Sequence, residues 1–179
     1  VRSGFLRMGP IMRDVRLSAH YMVNEFIVSQ EATRNGIDNN PSSRIIDNLR
    51  WTAENLELIW LTLAKPVLIV SSGGYRSSLL NSRIGGSKNS DHCFGLAADI
   101  IVPRYGSPYA VADAIGNSPG ILFNELILEY DAWVHVSFPA NRSEPQRRIY
   151  TRRSGRLMDG LVSLRTNQPN GDKGGLSAA

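Results

Sequence analysis

Apolar residues recur at helical spacing at Ile45, Leu49, Ala53, Leu56, Trp60 and Leu63, and this stripe is the strongest constraint on how the chain can fold. A helix with one apolar face gains little unless that face leaves water, so the stripe must lie against another element. Asn40 and Pro41 stand where a cap and a first-turn proline are favoured, and Pro66 stops the helix. The partner follows at once: Val67-Leu68-Ile69-Val70 is a short apolar run of the kind a buried strand shows.

The other elements complete a helix-on-sheet pattern. Residues 25–32 read as a short helix and residues 35–41 as a turn-rich connector. Ser71-Ser72-Gly73-Gly74-Tyr75-Arg76 is a polar loop, and residues 81–95 are mostly small or polar, the kind of loop on which chemistry often sits. In residues 97–102, Ala98, Ile100 and Val102 point one way while Ala97 and Asp99 point the other. Ser107 and Pro108 cap and open a helix through Ile115. Residues 125–129 and 133–138 are separated only by Tyr130-Asp131-Ala132, the spacing of a hairpin. If Glu129 pairs with Trp133, then Glu129 and His135 are diagonal neighbours on one face, about 7–8 Å apart at the backbone.

The chain's 179 residues suit one domain, with residues 1–24 expected as an extension, 25–165 as the domain and 166–179 as a disordered tail. No apolar run approaches the roughly 20 residues that cross a bilayer, so membrane insertion is not expected. The N-terminus has no apolar core of the kind a secretory signal carries. A lone cysteine, Cys93, excludes an internal disulfide and a multi-cysteine metal cluster. The net charge of +4 owes much to arginines between Arg142 and Arg165, among them Arg147, Arg148, Arg152, Arg153 and Arg156. They are expected on a solvated surface, with general attraction to anionic surfaces; no reading motif accompanies them, so specific nucleic-acid binding is not expected.

Two of the three histidines, His92 and His135, occur beside carboxylates in segments whose patterning exposes them on one side of a sheet. A catalytic zinc typically takes three nitrogen or oxygen ligands and leaves a fourth position to water. Residue patterning alone leaves two readings open. His92, Asp99 and His135 are either such a ligand set, or a solvated loop histidine, a strand-end carboxylate and a hydrogen-bonded strand histidine. His20 has no carboxylate at ligand spacing and reads as structural.

Ser90-Asp91-His92-Cys93-Phe94-Gly95-Leu96-Ala97-Ala98-Asp99 resembles the Ser-x-His-x-x-Gly-x-Ala-x-Asp signature of the D-alanyl-D-alanine carboxypeptidase family of zinc metallopeptidases. That family includes phage L-alanyl-D-glutamate endolysins and shares its fold with the Hedgehog signalling domain. Ser72 to Asn81 with Ile84-Gly85-Gly86-Ser87 is similar to a second family segment, with Gly74 as one extra glycine or Ser72 shifted by one, and Trp133-Val134-His135-Val136 to the strand carrying the last ligand.

The resemblance implies one Zn2+ per chain held by His92, Asp99 and His135. It implies Glu129 as the general base, with Asp131 as the competing carboxylate because Ala132 occupies the nearer position seen in the cell-wall branch. Arg76 is implied for binding a substrate carboxylate or carbonyl and for offsetting charge on the intermediate. Trp133 reads as a wall of the cleft, and Cys93 as a small thiol pointing away from the metal. The implied fold is α+β, a small mainly antiparallel sheet with helices on one face and the zinc cleft on the other. The implied activity is hydrolysis of D-Ala-D-Ala or L-Ala-D-Glu bonds in peptidoglycan stem peptides, acting on the cell wall, as a phage-encoded lysin or in a virion. The alternative is a zinc-stabilised binding or virion structural protein of the same fold that has lost turnover.

Overall fold

The computed structural model describes residues 15–140 and 143–163. The expected disordered tail lies outside these residues. Two short helices, α1 (Val23–Ile27) and α2 (Gln30–Asn35), precede the long α3 (Ser43–Leu63). The edge strand β1 (Leu68–Ile69), helix α4 (Ser78–Arg83) and a tight helical turn at Asp91–Phe94 lead into β2 (Ala97–Ile101). Helix α5 (Pro108–Gly116), the hairpin β3 (Glu125–Glu129) and β4 (Trp133–Ser137), and the hairpin β5 (Arg148–Arg153) and β6 (Arg156–Asp159) complete the chain. The strands form one sheet in the order β1-β2-β4-β3-β5-β6, antiparallel throughout except for β3 against β5. The architecture is α+β, as expected. No helix among the described residues is long and apolar enough to cross a membrane.

Alternation along the strands sends one set of side chains to the core and the other to a cleft. Ala98, Ile100, Leu126, Val134 and Val136 are buried in the core cluster with Leu49, Ala53, Leu56, Ile59 and Leu63 of α3 and Val111 and Ile115 of α5. The stripe on α3 is wider than its six expected positions. Ile46 and Ile59 are buried, whereas Ile45 and Trp60 are only half-buried at its margins. Packing also begins upstream of residue 25: Leu17, Tyr21 and Val23 are buried, and the Tyr21 hydroxyl donates to the Val67 carbonyl at 2.8 Å.

Four expectations need correcting. The helix expected over residues 25–32 is two helices, because Val28 is extended and the Ser29 hydroxyl caps α2 by accepting from the Ala32 N–H. The cap of α3 is Ser42, not Asn40; Asn39 is buried, with its amide donating to the Ile27 and Tyr75 carbonyls and accepting from the Ser77 N–H. The apolar run at residues 67–70 gives an edge strand with Leu68 exposed, since β1 pairs only with β2. The late arginines are not simply solvated. Arg148, Arg152 and Arg153 pair with Glu125, Glu129 and Asp131, and the Arg147 guanidinium donates to the Ile121 and Gly116 carbonyls.

Helix α3 also anchors the turn that carries His92. The buried Thr52 hydroxyl donates to the Gly95 carbonyl at 2.8 Å, and the Asn48 amide donates to the Phe94 carbonyl at 2.8 Å. Gly95 ends the turn at φ +69°, and a Cβ there would press on Ile45 and Leu49 of α3, so the position favours glycine on both counts. Thr52→Val should strand the Gly95 carbonyl and cost about 1–3 kcal/mol. Urea unfolding measures this; an unchanged midpoint and slope would show that the bond contributes nothing net.

Candidate metal centre

Strands β2 and β4 pair so that Asp99 stands directly opposite His135 on the cleft face. The helical turn at Asp91–Phe94 hangs His92 over the same spot. The donor atoms converge: His135 Nδ1 lies 2.9 Å from Asp99 Oδ1, His92 Nε2 lies 3.3 Å from the same oxygen, and the two nitrogens are 3.1 Å apart. An ion bound tetrahedrally at about 2.0–2.1 Å would set its donors roughly 3.3–3.4 Å apart, so this triangle is slightly contracted but correctly shaped. His92, Asp99 and His135 form a group that could hold a metal ion, and Cys93 is not part of it. The residues present fit zinc in chemistry as well, being two imidazoles and a carboxylate.

Surrounding groups fix how each donor points. His92 Nδ1 faces the Gly74 carbonyl at 2.7 Å, which sets that nitrogen as the N–H and leaves the Nε2 lone pair toward the cluster. Gly74 can serve there because its loop lies directly against the backbone of Phe26, where any Cβ would overlap. Gly73 is equally confined: its carbonyl accepts from the Asp99 N–H at 2.7 Å, and a Cβ would fall 2.8 Å from that of Asp99. The apparent extra glycine in this loop thus has a steric role. Arg76 Nη2 donates to Asp99 Oδ2 at 2.8 Å, leaving Oδ1 to the imidazoles.

Burial tends to raise the Asp99 carboxyl, but the charge of His92 and the hydrogen bond with His135 hold it well below the ordinary carboxylate range. Burial holds the His92 imidazole below its usual value despite Asp99. For His135, the downward pull of burial is outweighed by the bond to Asp99.

The cluster lies in a cleft of about 710 Å3 that also takes in Glu125, Ile127, Glu129, Trp133, Arg148 and Arg152. Glu129 pairs with Trp133 across the hairpin, the register expected from the sequence, and is a diagonal neighbour of His135. Burial pushes its carboxyl above the ordinary glutamate range, with Arg152, 3.0 Å away, pulling the other way. Trp133 lines the cleft with its ring 5.9 Å from that of Tyr130. Asp131 does not line it; it is in the hairpin loop at φ +55° and its carboxylate holds Arg153 at 2.5 Å. Arg76 reaches the cleft, but its guanidinium is committed to Asp99 and the Ser72 carbonyl. His20 is remote, stacked on Trp60 and bound to Glu57, a partner too distant in sequence to be foreseen.

Sequence reasoning missed Glu125, Arg148 and Arg152 because it did not anticipate β5 and β6. A signal for that hairpin was present in the Ser154-Gly155 turn dipeptide, and in the structure both residues take the positive φ of a tight two-residue turn.

From one convergent triad we expect about one zinc per chain, and His135→Ala should lose most of it together with some stability. Elemental analysis and melting with and without chelator measure both; full occupancy in that variant would remove His135 from the ligand set. No curated protein matches the chain. Residues 19–137 match the Peptidase M15 family, and this chain belongs to that family of zinc metallopeptidases.

Proposed function

We propose that this protein is a zinc peptidase hydrolysing amide bonds in peptidoglycan stem peptides, of the D-Ala-D-Ala carboxypeptidase or L-Ala-D-Glu endopeptidase type. The observation that carries this reading is the pairing, in one cleft, of a three-donor cluster with a half-buried carboxylate outside it, Glu129. A purely structural zinc site is normally closed by four protein ligands, whereas three donors beside an open cleft leave a coordination position for chemistry. When bound, zinc supplies a Lewis acid and a water acidified toward neutral pH.

The chain's own groups do the rest. Arg152 holds Glu129 Oε1, so the other carboxylate oxygen is available to take the proton of the attacking water and pass it to the leaving amine. Arg76 keeps Asp99 oriented, and its remaining guanidinium hydrogens lie at the cluster's edge, where charge develops on the scissile carbonyl. Trp133 walls the cleft beside Glu129 and limits access of bulk water.

Zinc-loaded protein should release new amine termini from purified peptidoglycan, and a chelated sample should not. Glu129→Gln should keep zinc and fold while turnover falls by roughly 10²–10⁴. Asp131→Asn should retain turnover, since that carboxylate serves Arg153. No release by the zinc-loaded protein would favour a binding or virion role for the same fold; loss in Asp131→Asn alone would make Asp131 the base. Arg152→Met should shift the acid limb of the kcat/KM profile upward, because removing the cation favours protonated Glu129, and the base works only when ionised. An unmoved limb would separate Arg152 from the base.

A further inference from the structure

We infer that Arg148 binds a substrate carboxylate, so that the cleft selects peptides whose amine-side residue carries a free carboxyl group. This rests on the peptidase reading above and extends it to a specificity residue.

Three arginines line the cleft, and they differ in what they already hold. Arg76 is only 15% exposed and donates to Asp99 at 2.8 Å and to the Ser72 carbonyl at 3.0 Å. Arg152 donates to Glu129 at 3.0 Å. Arg148 has half its side chain exposed and one long contact, 3.6 Å to Glu125. A guanidinium carries five N–H donors in a planar fork that fits a carboxylate with two parallel bonds. Among the described residues, Arg148 alone brings such a fork to this cleft largely unengaged.

Its position suits the task. The sheet registers put His135, Ile127 and Tyr150 in one cross-strand row, with Ser137, Glu125 and Arg148 in the next row on the same face. Two strand spacings of about 4.8 Å and a two-residue step of about 6.6 Å place the Arg148 backbone roughly 12 Å from that of His135. An arginine side chain closes much of that gap, leaving one or two residues of extended peptide, about 3.3–3.6 Å each, between its fork and the metal donors. In both candidate bonds, D-Ala-D-Ala and L-Ala-D-Glu, the residue leaving as the amine bears a carboxylate within that span. Arg76 and Arg152 already pair with Asp99 and Glu129, which leaves Glu125 as the acidic neighbour beside Arg148. Without Arg148, an anionic residue there would meet like charge; the long Glu125 contact is one that a bidentate substrate carboxylate can displace.

The test is calorimetric titration of zinc-loaded protein with two matched pairs: acetyl-Lys-D-Ala-D-Ala and its C-terminal amide, and L-Ala-D-Glu and its diamide. Wild type should bind each acid at least about 10-fold more tightly than its amide, and Arg148→Gln should weaken the acids by about 10- to 100-fold while leaving the amides as they were. Arg148→Lys should keep part of the preference, since the charge remains but the fork does not. Equal wild-type binding of acid and amide, or equal weakening of both in Arg148→Gln, overturns the inference. An Arg148-dependent preference without cleavage of either acid upholds it while the peptidase reading fails; cleavage without preference does the reverse.

Discussion

The register of β2 against β4 is the constraint on which the centre depends. It sets Asp99 directly across from His135, and since side chains alternate along a strand, a slip of one residue would turn Asp99 into the core. What forbids the slip is not the site but the opposite face. Ala98, Ile100, Val134 and Val136 are all buried beneath α3 and α5, so shifting either strand would exchange apolar side chains for a carboxylate or an imidazole. The core thereby specifies the geometry of the cluster, and the third donor arrives from a turn that α3 itself holds through Thr52 and Asn48.

The same division explains what could be read in the sequence. Patterns of period two and 3.6 report which side faces the core, and they located β2, the β3–β4 hairpin, α5 and the axis of α3. The hairpin register followed from a three-residue loop, so the Glu129 and His135 relation was legible. Residue patterning alone left open whether His92, Asp99 and His135 form a ligand set; the signature around them pointed to it, and the structure brings the three together as a group that could hold a metal ion. What stayed illegible was governed by contacts distant in sequence. Ser29 breaks a helix because the Ser72 loop docks there, with the Val28 carbonyl accepting from the Ser72 N–H. That Arg76 also holds Asp99, 23 positions later, is not legible in its own segment. Strand β5 is rich in arginine and looks like surface until Glu125 and Glu129 are seen beside it in parallel register.

Burial and pairing set different tasks for similar groups around the cluster. Asp99 is buried and Glu129 half-buried, yet the first is drawn far down by two imidazoles and the second is lifted by desolvation against a single arginine. A group held ionised suits a ligand, and a group with a raised proton affinity suits proton transfer. Two carboxylates in one cleft thus acquire separate roles from their neighbours rather than from their own chemistry.

The match to the family ends at Ser137, the last residue of β4, while β5 and β6 lie beyond it. All three donors and Glu129 fall within the matched stretch, whereas Arg148 and Arg152 come from the hairpin that follows it. The metal-binding cluster and the carboxylate beside it are thus carried by one stretch of chain, and the two arginines that face Glu125 and Glu129 by another. A hairpin at the sheet margin can be rewritten without moving His92, Asp99 or His135, but a change at Arg152 reaches Glu129, so variation at this margin would retune the acidity of that carboxylate while the donor triangle stays as it is.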